Sequence, residues 1–109
     1  MEELAKRKCV PCEGGTPRLQ KDRVDELLGQ LQAGWKVTAD VKKLERRFTF
    51  GDFKAAMVFI NAMAEVAEQE QHHPDFGVHY NRVDVTLYTH AIDGLSDNDF
   101  ILAAKIDKL

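Results

Sequence analysis

The sequence predicts a two-layer α+β domain, in which a four-stranded antiparallel sheet carries helices on one face. Segments with apolar residues at helical spacing alternate with pairs of segments in which every second residue is apolar. The resulting order, α-β-β-α-β-β-α, favours two hairpins that the helices cover from one side. The 109 residues suffice for one such domain. We expect it at residues 18–109, after an N-terminal extension at residues 1–17.

The first helix and the first hairpin follow this extension. Apolar residues at positions 24, 27, 28 and 31 predict a helix over about residues 20–32, with Gly34 as its terminator. Alternation from Trp35 to Ala39 and from Leu44 to Phe50 predicts two strands. Their short connection indicates an antiparallel hairpin.

A long second helix has the most regular pattern. Asp52 is a good N-cap, and the residue before Pro74 is disfavoured in helical geometry, so we expect the helix to end at about Gln71. The apolar residues that recur at helical spacing are Phe53, Ala56, Met57, Ile60, Met63, Ala64 and Ala67.

A second hairpin and a last helix complete the pattern. Alternation predicts strands from Phe76 to Tyr80 and from Val83 to His90, with a tight turn at Asn81-Arg82. Ser96 can cap the last helix. If the valines of the fourth strand face the helices, His90 has the opposite parity and should point to the open face of the sheet.

Composition excludes several classes of function. A net charge of −3 and a pI near 5.8 give no electrostatic reason to bind nucleic acid. No apolar run approaches the ~20 residues that span a bilayer, and no signal peptide is evident, so we expect a cytoplasmic protein without membrane partners. The spacing of Cys9 and Cys12 could supply half of a zinc site or a redox pair; we expect a reduced tail, with metal, redox and disulfide roles left open.

Residues at the end of the second helix could carry chemistry. Glu68 lies four residues before His72, which places both on one helix face, and the carboxylate and the negative helix end favour an imidazolium. His73, held extended by Pro74, can project beyond the helix. A polar helix end without function is the alternative. These histidines, His90 and the cysteines are competent metal ligands, but no HExxH motif is present and we expect no metal.

One spacing pattern is more specific than any single pair. It consists of an acidic residue, three spacers, His-His-Pro, five spacers, an aromatic residue, nine spacers, His, eight spacers and Asp. Here these places are held by Glu68, His72-His73-Pro74, Tyr80, His90 and Asp99. In this pattern, and in shorter matches over about residues 19–109, the chain resembles the pterin-4a-carbinolamine dehydratase family.

The resemblance implies a hydro-lyase that uses no cofactor. Members of the family dehydrate a 4a-hydroxytetrahydropterin to the quinonoid dihydropterin in tetrahydrobiopterin recycling, with an aromatic amino-acid hydroxylase as the pathway partner. The resemblance also implies a homodimer that joins sheets edge to edge, or a homotetramer that pairs dimers through helices. A dimerisation cofactor-like accessory role and pterin chemistry linked to molybdopterin are the alternatives.

Roles for individual residues also come from the resemblance. It gives His72 and His90 the acid/base roles and His73 a catalytic, substrate-binding role. Glu68 and Asp99 match carboxylates that orient or tune the histidines, although Asp99 can equally complete a helix cap after Ser96. Trp35 matches a tryptophan near the pterin, with core packing as its alternative.

Overall fold

A computed structural model describes residues 3–10 and 17–109, and there the chain forms three α-helices on a four-stranded sheet. The helices are α1 (Lys21–Leu28), α2 (Phe53–Glu70) and α3 (Asp97–Ile106), and the strands are β1 (Lys36–Val37), β2 (Leu44–Thr49), β3 (Asp75–His79) and β4 (Arg82–Leu87). The strand order is β1-β2-β4-β3, and every pair is antiparallel. The predicted α+β class, element order and both hairpins are confirmed.

The first helix and first strand are shorter than predicted. Helix α1 ends at Leu28, and two tighter i→i+3 bonds follow it, from the N–H groups of Gln30 and Leu31. Strand β1 pairs over only two residues, because the chain turns at Val41, which has a left-handed φ of 58°. Leu31 therefore packs against the core although it lies after the end of α1.

Helix α2 begins and ends where the local signals predict. The Asp52 side chain accepts a hydrogen bond from the Ala55 N–H at 2.8 Å. The helix ends at Glu70, and Gln71 is a left-handed C-cap with φ 53°. The buried face differs in part from the prediction, because Phe53 and Ala64 are exposed and Phe59 is buried.

Strand β4 supplies the centre of the core. Val83, Val85 and Leu87 are each at most 1% exposed, so the predicted helix-facing parity of the strand is confirmed. They pack with apolar residues of α2 and α3, including Met63 and Phe100. Polar residues of opposite parity, among them Glu45, Asp84 and Thr86, line a cavity on the open face.

The prediction that His90 belongs to the fourth strand is wrong. Strand β4 ends at Leu87, and His90 is the first residue of a 3-10 turn, His90–Ile92. The chain reverses here because the Thr89 N–H bonds to the Gly94 carbonyl at 2.8 Å. Strand parity therefore does not determine the direction of His90. The β3–β4 turn is also one residue earlier than predicted, at Tyr80-Asn81, where Tyr80 has φ 52°.

The N-terminal segment, residues 3–10, packs against α3. Leu4 is buried in the core, and Lys105 Nζ donates to the Ala5 carbonyl at 2.9 Å. Arg7 forms an ion pair with Asp97 at 3.1 Å. In the described residues, no helix combines the length and hydropathy that crossing a membrane requires.

Candidate active site

A cavity of about 290 Å³ lies between the C-terminal end of α2 and the turn after β4. His72, His73 and His90 all line it, so the three histidines of the spacing pattern meet in one place. The other lining residues are Val10, Gln71, Tyr88, Thr89, Ala91 and Asn98. Two chain reversals produce this meeting: the left-handed residue Gln71 directs the chain out of α2, and the 3-10 turn brings His90 back from β4.

His72 is held by a buried carboxylate. Its Nε2 lies 2.6 Å from Asp99 Oδ1, and Asp99 is fully buried. A carboxylate only accepts hydrogen bonds, so Nε2 carries the proton of this bond and Nδ1 is the ring atom available for exchange. The His72 side chain is 12% exposed, which restricts its ring to this orientation.

The two oxygens of Asp99 have different partners, and its role in tuning a catalytic histidine stays a prediction. Oδ2 accepts from the N–H of Ser96 and from the hydroxyl of Thr89, both at 2.9 Å, and the first of these bonds completes a capping box at the start of α3. Oδ1 binds His72. Because the Thr89 hydroxyl donates to Asp99, its 2.7 Å bond with Ser96 Oγ is donated by the serine. Asp99 thus fixes His72 to the first turn of α3.

Glu68 does not pair with His72 as expected. Its Oε2 is hydrogen-bonded to Nε2 of His73. The expectation failed because Gln71 ends the helix, so His72 no longer lies one helical turn above Glu68 on the same face. Both side chains of the observed pair are more than half exposed, so the pair contributes little to stability.

His90 is the most accessible of the three imidazoles. Its side chain is 59% exposed, and its Nε2 lies 3.9 Å from Asp75 Oδ2 at the start of β3. The ring meets the edge of Tyr88, with 4.3 Å between the ring centres. Among the described residues, the 3.9 Å approach of Asp75 and the Tyr88 ring are therefore the contacts that position this imidazole.

Trp35 is not among the residues that line the histidine cavity. It is 5% exposed, its Nε1 donates to both oxygens of Asp107 at 2.9 Å, and its ring packs edge-on against Phe48. Asp107 also binds Arg46 at 2.7 Å. The structure gives Trp35 the core-packing role that the sequence left open, and its contact with a pterin stays a prediction.

Cys9 is half-buried against α3, whereas Cys12 lies outside the described residues. Its thiol lies 3.6 Å from the Asn98 carbonyl, and its N–H donates to Glu70 at 2.9 Å. Burial, followed by the charge of Glu70, raises the pKa of the Cys9 thiol from 9.0 to about 12. The thiolate that metal binding or redox chemistry requires is therefore disfavoured at neutral pH.

The raised pKa of Cys9 makes stability depend on alkaline pH. The unfolded chain loses the thiol proton near pH 9.0 and the folded chain near pH 12, so this stabilisation is complete below pH 9 and is lost between these values. We expect the unfolding free energy of the wild type, measured with urea, to fall more steeply above pH 9 than that of Cys9→Ala. Parallel pH profiles for the two proteins would contradict this.

Within residues 3–10 and 17–109, no three His, Cys, Asp or Glu side chains are grouped to hold a metal ion. The absence of a metal from the reaction stays a prediction.

Several residues around the site were not predicted from the sequence. Thr89 anchors Asp99, Asp75 lies opposite His90, and Asn98 and Val10 line the cavity. Thr89 and Asn98 adjoin His90 and Asp99, which is the only local signal for them. Nothing in the local sequence connects Val10 to residues more than sixty positions away.

The fold and the cavity define a class of protein: an α+β domain with an imidazole–carboxylate site suited to proton transfer. The model of one family, described as "Pterin 4 alpha carbinolamine dehydratase", matches residues 17–109. This chain belongs to that family.

Relatives match almost the whole chain. A protein of Nitrosomonas eutropha is 50% identical over 107 residues, which cover 98% of this chain and 93% of that protein. A protein of Rubrobacter xylanophilus is 45% identical over 109 residues and covers both chains completely. Each is named "Putative pterin-4-alpha-carbinolamine dehydratase".

Solved structures share the fold. A crystal structure titled as a transcriptional coactivator/pterin dehydratase from Brucella melitensis is 37% identical, with a TM-score of 0.79 over 84% of this chain and 97% of that chain. A pterin dehydratase-like protein described as a RuBisCO assembly factor in the alpha-carboxysome is 24% identical, with a TM-score of 0.62 over 71% of this chain and 89% of that chain. At this identity the second likeness concerns the fold alone.

Proposed function

We propose that this protein is a hydro-lyase that dehydrates a 4a-hydroxytetrahydropterin to the quinonoid dihydropterin, as in tetrahydrobiopterin recycling. One observation carries the proposal: His72, His73 and His90 line a single cavity, and carboxylates hold the first two. Membership of the dehydratase family supports the substrate class.

The reaction needs two proton transfers. The C4a–O bond breaks, and the oxygen leaves as water after it takes a proton from an imidazolium. A ring nitrogen supplies the electron pair of the new C=N bond and gives its proton to a neutral imidazole. The two imidazoles exchange protonation states, so atoms and charge balance without metal or cofactor. Histidine suits both roles because its ordinary pKa lies near neutral pH.

In this proposal, His72 and His90 are the acid/base pair. Asp99 holds Nε2 of His72, so Nδ1 exchanges the proton, and the carboxylate stabilises the imidazolium whenever it forms. His90 lines the same cavity and, with a side chain that is 59% exposed, is accessible for the second proton transfer.

His73 has the substrate-binding role. Glu68 accepts the proton of its Nε2, which leaves Nδ1 as a hydrogen-bond acceptor for an N–H group of the substrate. The homodimer or homotetramer, the hydroxylase as pathway partner and the cytoplasmic location also belong to the proposal.

The proposal is tested by the rate at which the absorbance of a freshly generated 4a-hydroxytetrahydropterin decays. We expect the wild type to accelerate the decay well above the rate in buffer, and EDTA to leave that acceleration unchanged. A wild-type rate equal to that of buffer would refute the proposal and would favour an accessory binding protein. Loss of activity in EDTA that added Zn²⁺ restores would refute the metal-free mechanism.

A further inference from the structure

We propose that Val10, at the end of the N-terminal segment, contacts the bound pterin and helps determine its affinity. The inference rests on the proposed function only in taking a pterin as the ligand. The segment lies outside the part of the chain that the family model matches, which begins at residue 17. Val10 nevertheless lines the cavity together with the three histidines.

Asn98 fixes the position of Val10. The N–H of Val10 donates to Asn98 Oδ1 at 2.9 Å, and Asn98 Nδ2 donates to the Val10 carbonyl at 2.5 Å. The amide thus binds both backbone groups of one residue, as a neighbouring strand would. Asn98 is 4% exposed, whereas Val10 is 64% exposed, so an anchored backbone presents an accessible apolar side chain.

Further contacts hold the rest of the segment. Glu70 accepts the N–H of Cys9, and its side chain is 7% exposed and lies 3.7 Å from Lys105. Leu4 is buried and Arg7 pairs with Asp97. Because several points fix the segment, little conformational entropy remains to be lost when a ligand contacts it.

The anchor of Val10 and the anchor of His72 are consecutive residues. Asn98 holds Val10, and Asp99 holds His72, both within the first turn of α3. Helix α3 therefore sets the distance between Val10 and the imidazole of His72. A flat pterin bound at the imidazoles would lie against Val10, where the valine methyl groups can pack on it.

The test is the dissociation constant of 7,8-dihydrobiopterin, a pterin that cannot be dehydrated, measured by isothermal titration. We expect Val10→Ala and Val10→Asp to weaken binding about 3- to 10-fold, because apolar contact area is lost. In turnover, the same variants should raise KM while kcat stays near that of the wild type. Asn98→Ala should weaken binding similarly, with its fold checked by circular dichroism.

Lys8→Ala is the matched control, because Lys8 is exposed on the same segment and is not among the residues lining the cavity. Unchanged dissociation constants in both Val10 variants would overturn the inference, and so would a wild type that does not bind 7,8-dihydrobiopterin. A wild type that binds it, loses affinity in the Val10 variants and shows no dehydratase activity would refute only the proposed function.

Discussion

His72→Ala is expected to lower kcat for pterin dehydration by roughly 10²–10⁴-fold, the usual contribution of one acid/base group. Asp99 holds Nε2 of this imidazole, so the substitution removes an Nδ1 whose position is fixed by that bond. The measurement is the initial rate of loss of the 4a-hydroxypterin absorbance at saturating substrate, after subtraction of the rate in buffer.

His79→Ala provides the control for that variant. His79 is exposed at the end of β3 and is not among the residues lining the cavity, so its rate should equal that of the wild type. A His72→Ala protein that is folded and as active as His79→Ala would remove His72 from the catalytic site.

Asp99→Ala is expected to lower the free energy of unfolding by about 3–5 kcal/mol, besides lowering kcat. The substitution leaves three groups without their acceptor: the Thr89 hydroxyl, the Ser96 N–H and His72 Nε2. Because Asp99 is fully buried, water cannot easily replace the lost bonds. Urea unfolding of both proteins at the same pH measures the difference.

Asp97→Ala is the matched control for stability. Asp97 lies in the same first turn, but its side chain is 34% exposed and its partners are Arg7 and Arg23 at the surface. Such pairs contribute about 0–1 kcal/mol. If both aspartate variants lost the same free energy, burial of Asp99 would not be the source of its effect.

Much of the fold followed from short-range patterns. The caps at Asp52 and Ser96 and the end of α2 before Pro74 depend on residues within one turn of the chain, so they are visible in the sequence. The core parity of β4 is equally local, because alternate side chains of a strand point to opposite faces. These signals sufficed for the element order and the fold class.

The contacts within the site were less predictable. The spacing pattern predicted the three histidines and both carboxylates as site residues, but it did not show which carboxylate is hydrogen-bonded to which histidine. The left-handed conformation of Gln71 decided this, since it took His72 off the helix face and left Glu68 to His73. The turn at His90 likewise replaced the expected strand.

The sequence by itself determined an α+β domain with imidazoles and carboxylates at spacings typical of one enzyme family. Only the tertiary structure decided that Asp99 both caps α3 and binds His72, and that Val10 from the N-terminal segment joins the cavity. The physical reason is the separation along the chain between the residues that interact. Periodicity and capping involve neighbours along the chain, whereas the cavity forms where α2, the turn after β4, α3 and the N-terminal segment pack together.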